Sequence, residues 1–216
     1  MASTVSSRLW RWAQASTAPL GELGCALLFE LSLAEAPPSV ADRLGVSIRL
    51  ATEDDLDAVC RLYVGDSWLW MGDRDHYRDR LRRGELCYLA FAGGNIAHVN
   101  WTCFHRGDAL PGHPIHLLRG EVYTTDAVTP PAFRGKGVHA LVLGRMLSDA
   151  RNAGARHAYT LGQLDRPDAH RGLRSLGWQE SGRIVYFERH GRSHATILWH
   201  SGNTAPLFRR PATAGR

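Results

Sequence analysis

Arg134-Gly135-Lys136-Gly137 constrains this chain more than any other stretch. It follows a strand-like run, Glu121 to Thr129, and a Pro130-Pro131 break. It opens a helical run, Val138 to Arg151. A strand, a tight glycine loop and a helix N-terminus in succession make an anion site. The first helical N–H groups have no carbonyl partner within the helix, and the helix dipole favours negative charge there. Glycines let the backbone approach a phosphate closely, because no Cβ intervenes. Lys136 is also the only lysine in the chain.

Composition narrows the ligand without naming it. With 216 residues, 44% hydrophobic and 22% charged, the chain can bury one sizeable core. A net charge of +5 and a pI near 9.3 suit anionic ligands, from a nucleotide cofactor to RNA. A solvated basic surface is the reading favoured over nucleic-acid binding. Four cysteines (Cys25, Cys60, Cys87, Cys103) stand far apart with no CxxC, and read as reduced thiols of a cytoplasmic protein. Eleven histidines show no ligand spacing, so no metal is implied. No apolar run approaches the ~20 residues of a membrane span.

Residues 1–46 read as an N-terminal extension, helix plus edge strand. The first 24 residues carry one acid, Glu22, and fit either a transit peptide or an amphipathic helix with Leu9, Trp10, Trp12 and Ala13 on one side. Cys25 to Leu33 reads as a buried strand expected to join the edge of the main sheet.

The main domain, 47–200, opens with an alternating strand around Ile48. Thr52-Glu53-Asp54-Asp55 is a capping box. The helix behind it aligns Leu56, Val59, Cys60 and Tyr63 on one stripe. An aromatic loop holds Trp68, Trp70 and Met71, and a helix runs from Arg74 to Arg83. Leu86 to Phe91 and Ile96 to Phe104 form a hairpin about Gly93-Gly94-Asn95. His105 to Gly120 reads as a loop. A strand from His157 to Leu161, a helix from Asp168 to Leu176 and a closing hairpin about Gly191 complete the domain. Residues 201–216 read as a flexible tail.

This order, with the loop as Arg134-Gly135-Lys136-Gly137-Val138-His139, resembles the GNAT-type N-acyltransferases, whose loop follows [Gln/Arg]-x-x-Gly-x-[Gly/Ala]. The resemblance covers about residues 46–190 and includes the late helix ending at Gly177-Trp178. It implies a mixed α/β fold: a mostly antiparallel sheet flanked by helices. It also implies acetyl-CoA as co-substrate. Its diphosphate would lie on the amides of Gly135, Lys136, Gly137, Val138, His139 and Ala140, with Lys136 or Arg134 neutralising charge. Ala127, Val128 and Thr129 would bond the pantetheine amides as a neighbouring strand does.

Three departures accompany the likeness. His139 stands at the last small position of the loop pattern, with Ala140 one residue later. The family's late-helix Asn and Tyr correspond to Arg166 and Leu173, which removes the usual proton donor to the CoA thiolate. An attacking amine must also lose a proton, so a carboxylate is wanted near the thioester. Asp126 is favoured over Glu121 because it lies nearer the splay point. Their parity places them on opposite faces of the sheet. Tyr123 is a third candidate, as proton donor, with core packing as its plainer role.

Gly135-x-Gly137-x-x-Ala140 also fits a dinucleotide fingerprint, but it comes late in the chain and no acid follows at the next strand. The Walker A pattern fails at Val138. Arg74, Arg78, Arg80, Arg82 and Arg83 could bind an anionic acceptor, although Asp75 and Asp79 suggest a salt-bridged helix face. His105, His113 and His116 lie on a loop able to reach an acceptor.

The expected activity is direct acetyl transfer from acetyl-CoA to a primary amine of a small molecule, with an amino-sugar the first choice. Alternatives are acylation of aminoacyl-tRNA or protein amines, and a non-catalytic CoA-binding module. A homodimer is compatible with all three.

Overall fold

The computed structural model describes residues 22–63, 73–110, 113–164, 167–189 and 192–200. The expected N-terminal helix, Trp68, Trp70, Met71, Arg166 and the tail lie outside the described residues. The elements follow in the order β1 (Glu22–Ser32), β2 (Ser47–Leu50), α1 (Leu56–Tyr63), α2 (Arg74–Arg82), β3 (Leu86–Ala92), β4 (Asn95–Cys103), β5 (Arg106–Leu110), β6 (His113–His116), β7 (Glu121–Val128), α3 (Val138–Asn152), β8 (His157–Gln163), α4 (Pro167–Ser175), β9 (Gln179–Arg189) and β10 (Arg192–His200).

Eight strands form one sheet in the order β10-β9-β1-β8-β7-β4-β3-β2, and β5-β6 form a separate ribbon. The pair β7-β8 is parallel, and the other pairs in the large sheet are antiparallel. This is the mixed, mostly antiparallel sheet flanked by helices that the sequence implies. His105 to Gly120 is not a plain loop, because it contains the β5-β6 hairpin.

β1 corrects a second expectation. It is not an edge strand but lies between β8 and β9, paired to both along its length. The physical reason is in its composition. Leu27 and Phe29 pack with Val122, Leu143, Leu147, Leu173 and Trp178 on the α3/α4 side. Leu28 packs with Cys103, Tyr123 and Tyr159 on the other side. A strand apolar on both faces needs cover on both faces, which an interior position supplies and an exposed edge does not. Residues 22–32 are therefore integral to the sheet.

α1 presents Leu56, Val59 and Tyr63, and α2 presents Tyr77, to Cys87, Leu89, Val99 and Trp101 on the side of the sheet opposite α3. α3 packs Val138, Val142 and Met146 over Tyr88, Ala90 and Ala97. Both arrangements follow the i, i+3/i+4 spacing of an amphipathic helix. Among the described residues, no helix is long and apolar enough to cross a membrane.

Phe29 has no solvent exposure. Phe29→Ala should lower the unfolding free energy by about 3–5 kcal/mol in urea titration, as for a central core aromatic. A loss within about 0.5 kcal/mol, the level of a surface position, would contradict the interior placement.

Candidate functional site

The parallel pairing of β7 and β8 runs from Glu121↔His157 to Thr124↔Thr160 and stops there. Beyond that point β7 remains on β4, with Trp101 opposite Thr125 and Val99 opposite Val128. β8 remains on β1, with Leu28 opposite Leu161 and Ala26 opposite Gln163. The two strands thus part into a V. Thr160 Oγ1 donates to Thr124 O at 2.9 Å and closes its apex.

One arm of the V carries a bulge. Between the pairs Val99↔Val128 and Trp101↔Thr125, Asn100 alone faces two residues, Asp126 and Ala127. Asp126 has φ 53, the only positive φ outside glycine among the described residues. Aspartate is among the few side chains that tolerate this conformation. The bulge corrects the expectation that Glu121 and Asp126 face opposite sides. The extra residue resets the strand's alternation, and both side chains point to the α1/α2 side. Glu121 accepts from Tyr159 Oη at 3.1 Å and from Leu118 N at 2.8 Å, at the paired end of β7. Asp126 lies past the apex.

Asp126 is held at three atoms. Tyr63 Oη donates to its backbone oxygen at 2.8 Å. Thr125 Oγ1 donates to Oδ1 at 3.2 Å, and Arg80 Nη1 donates to Oδ2. Arg80 also donates from Nε to Glu85 Oε2 at 2.7 Å, and Arg83 reaches Glu85 Oε1 at 2.8 Å. The Arg80 guanidinium lies 4.2 Å from the Trp101 ring centroid. Burial opposes its charge, but Asp126 and Glu85 outweigh this and hold it protonated well above the usual range. Arg80 is the member of the α2 arginine set that turns inward. Arg74 pairs with Asp57 at 2.9 Å and Arg78 with Glu53 at 3.3 Å. The salt-bridged helix face is what α2 presents outside.

Tyr123 is buried among Leu28, Cys103 and Tyr159, and burial pushes its hydroxyl far above the ordinary pKa. Leu173, at the expected position of the family's tyrosine, is packed into the core under α4.

The loop stands beyond the end of β7. Pro131–Phe133 form a 3₁₀ turn, and Gly135 and Gly137 take φ 72 and 80. Gly137 caps α3, and the first helical N–H with a carbonyl partner is that of Leu141, bonded to Gly137 O at 3.0 Å. The amides of Gly135 to Ala140 precede it, and those of Val138, His139 and Ala140 lie in the first helical turn, where an anion is favoured. A Cβ added at Gly135 or Gly137 would meet nothing within 4 Å, so the space above the loop is open. A phosphate group fits these residues. Lys136 is exposed, 5.8 Å from the Phe133 ring centroid. Arg134 Nε donates to Thr129 O at 2.9 Å, which braces the loop. Val138 is buried, so it offers a backbone group only. Ala127 and Ala140 are half-buried, and Val128 packs inward.

His139 turns its side chain inward. Its Nδ1 lies 3.2 Å from His98 Nε2, and His98 Nδ1 lies 2.8 Å from Thr129 Oγ1. This chain joins the strand exit to the first turn of α3. Burial lowers the His139 pKa from 6.5 to about 4, and burial, then repulsion from His139, holds that of His98 well below its ordinary value. Neither this pair nor the Arg80 network is visible in local sequence. His139 stood out only as a departure from a small residue, and Arg80 only as one arginine among five. His105 is exposed and His116 is half-buried on the ribbon.

No family model matches the chain, and no curated protein does. Solved structures do. A GCN5-related N-acetyltransferase from Sphaerobacter thermophilus superposes with a TM-score of 0.58 at 15% identity, over 87% of this chain and 56% of that one. A GNAT-family acetyltransferase from Colwellia psychrerythraea gives 0.58 at 14% identity, over 81% and 60%. This chain therefore spans between a half and two thirds of each of those proteins. At such identities the likeness is one of fold, and the fold is that of the GNAT acyltransferases.

A histidine whose folded pKa is depressed stabilises the protein fully above the unfolded value, and that stability is lost as pH falls toward the folded value. For His139 the window is pH 6.5 down to about 4. The thermal midpoint should fall across this window, and His139→Asn should flatten the fall. An equally steep fall in the variant would remove His139 as its source.

Proposed function

We propose that this chain transfers an acetyl group from acetyl-CoA directly to a primary amine of a small molecule. The observation that carries the reading is the succession along the chain of the β7-β8 parting and the open glycine loop at the start of α3. A diphosphate would rest on the amides of Gly135 to Ala140, with Lys136 adding positive charge. Backbone groups of Ala127, Val128 and Thr129 would hold the pantetheine arm along the open arm of the V. Arg134 serves this by bracing the loop through Thr129. Acetyl-CoA supplies the thioester.

An ammonium must lose a proton before its nitrogen can attack. Asp126 is the carboxylate we assign to take it. It lies past the apex on the α1/α2 side, and its side chain keeps 29% exposure. Glu121, bonded at the paired end of β7, and Tyr123, sealed in the core, read as structural. An amino-sugar is the first acceptor to try. The four free cysteines suit a cytoplasmic location. The buried Leu173 favours one second reading, a CoA-binding module without turnover, and release of free thiol from acetyl-CoA across an amine panel decides between the two.

Acetyl-CoA should raise the thermal midpoint by mass action, with NADH leaving it unchanged. A shift with NADH alone would overturn the reading. Gly137→Asp should abolish acetyl-CoA binding in calorimetry, because a carboxylate would stand among the anion-binding amides while Asp tolerates the left-handed φ. Unchanged affinity would remove the loop from the site. Asp126→Asn should lower kcat by roughly 10²–10⁴ with little change in acetyl-CoA affinity. Full turnover would reassign the base.

A further inference from the structure

We infer that Arg80 of α2 is a positioning residue for the transfer reaction, acting through Asp126. The inference rests on the reading just given, in which Asp126 takes the amine proton. Asp126 stands at a bulge, in a backbone conformation that few side chains hold. Within β7 the neighbouring Thr125 bonds Oδ1 at 3.2 Å, which leaves Oδ2 to be aimed from outside the strand. The direction comes from the helices across the α1/α2 side. Tyr63 of α1 bonds the backbone oxygen, and Arg80 of α2 bonds Oδ2.

Arg80 can do this because it is itself fixed. Its side chain is 7% exposed, its Nε is committed to Glu85, and its plane lies over Trp101. Trp101 stacks on Tyr77 with centroids 5.5 Å apart, and Tyr77 on Tyr63 at 5.4 Å. Aromatic rings thus back the guanidinium, and Glu85 and Asp126 are bonded from separate nitrogens. A buried ion pair is a poor source of net stability, since desolvation offsets the attraction. Its value here is geometric. The guanidinium fork fixes one carboxylate by reference to another, which a compact ammonium cannot reproduce. A reacting group must be held within about 0.5 Å of its productive position. With Oδ2 on Arg80 and Oδ1 on Thr125, the carboxylate has one orientation and still reaches solvent.

The test is a cycle of four proteins: wild type, Arg80→Lys, Asp126→Asn and the double variant. Acetyl-CoA affinity is read by calorimetry and turnover by thiol release with a saturating amine. Arg80→Lys should lower kcat on the order of 10²-fold, the cost of misplacing a reacting group by about 1 Å. Its acetyl-CoA affinity and KM should stay near wild type. In the Asp126→Asn background the same change should cost less than about threefold, because the group it positions is gone. Full kcat in folded Arg80→Lys, or an equal loss in both backgrounds, overturns the inference and leaves the acyltransferase reading standing. A wild-type protein that neither binds acetyl-CoA nor releases thiol overturns both. Should Arg80→Lys fail to fold, Glu85→Gln loosens Arg80 from its other side. Its kcat should also fall only when Asp126 is present, and an unchanged kcat overturns the inference.

Discussion

The parting of β7 and β8 beyond Thr124 and Thr160 is the constraint on which the rest of this molecule depends. Two parallel strands separate at little cost only if each has a partner on its outer side. β4 supplies that partner to β7, and β1 supplies it to β8. Pairing on the outer edges satisfies half of the backbone groups, and the inner edges are left facing one another across the V. The insertion of β1 between β8 and β9 is therefore part of the site, although it comes from the start of the chain.

The two sides of the sheet then acquire different electrostatics. On the α3 side the loop offers amide dipoles and one lysine, and the histidines behind it are kept neutral by burial. A neutral pair can link Thr129 to α3 without adding a charge that would have to be desolvated. On the α1/α2 side Arg80 and Glu85 are buried as full charges, with Asp126 part-buried and Arg83 exposed at the ends of the set. Arg80, Arg83, Glu85 and Asp126 balance one another, and Trp101 covers the guanidinium. Charge that is paired and hydrogen-bonded can remain in the interior, and its geometry is correspondingly rigid.

Much of the candidate site was legible from residues that act through the backbone. Gly135 and Gly137 announce left-handed turns, the prolines before them end a strand, and an apolar run of helical period follows. Local rules suffice there, because capping and turn chemistry involve neighbours in sequence. The side-chain partners were not legible in the same way. Arg80 meets Asp126 across 46 positions and His98 meets His139 across 41. In α2, Arg80 reads the same as Arg78 or Arg82, and only the sheet beneath the helix separates the inward one from the rest.

The same division holds for the fold. Sequence alone determined the order of strands and helices outside the β5-β6 ribbon, the glycine loop at the start of α3, and the two-faced apolar character of β1, since these depend on periodicity and on residues with special φ. Tertiary structure alone decided that β1 goes inside the sheet, because strand neighbours are chosen by total burial across both faces. It also decided that Asp126 and Glu121 share a face. Alternation along β7 predicts the opposite, and a single left-handed residue set against Asn100 overturns it. A bulge is a property of two strands in register, and neither strand carries it alone.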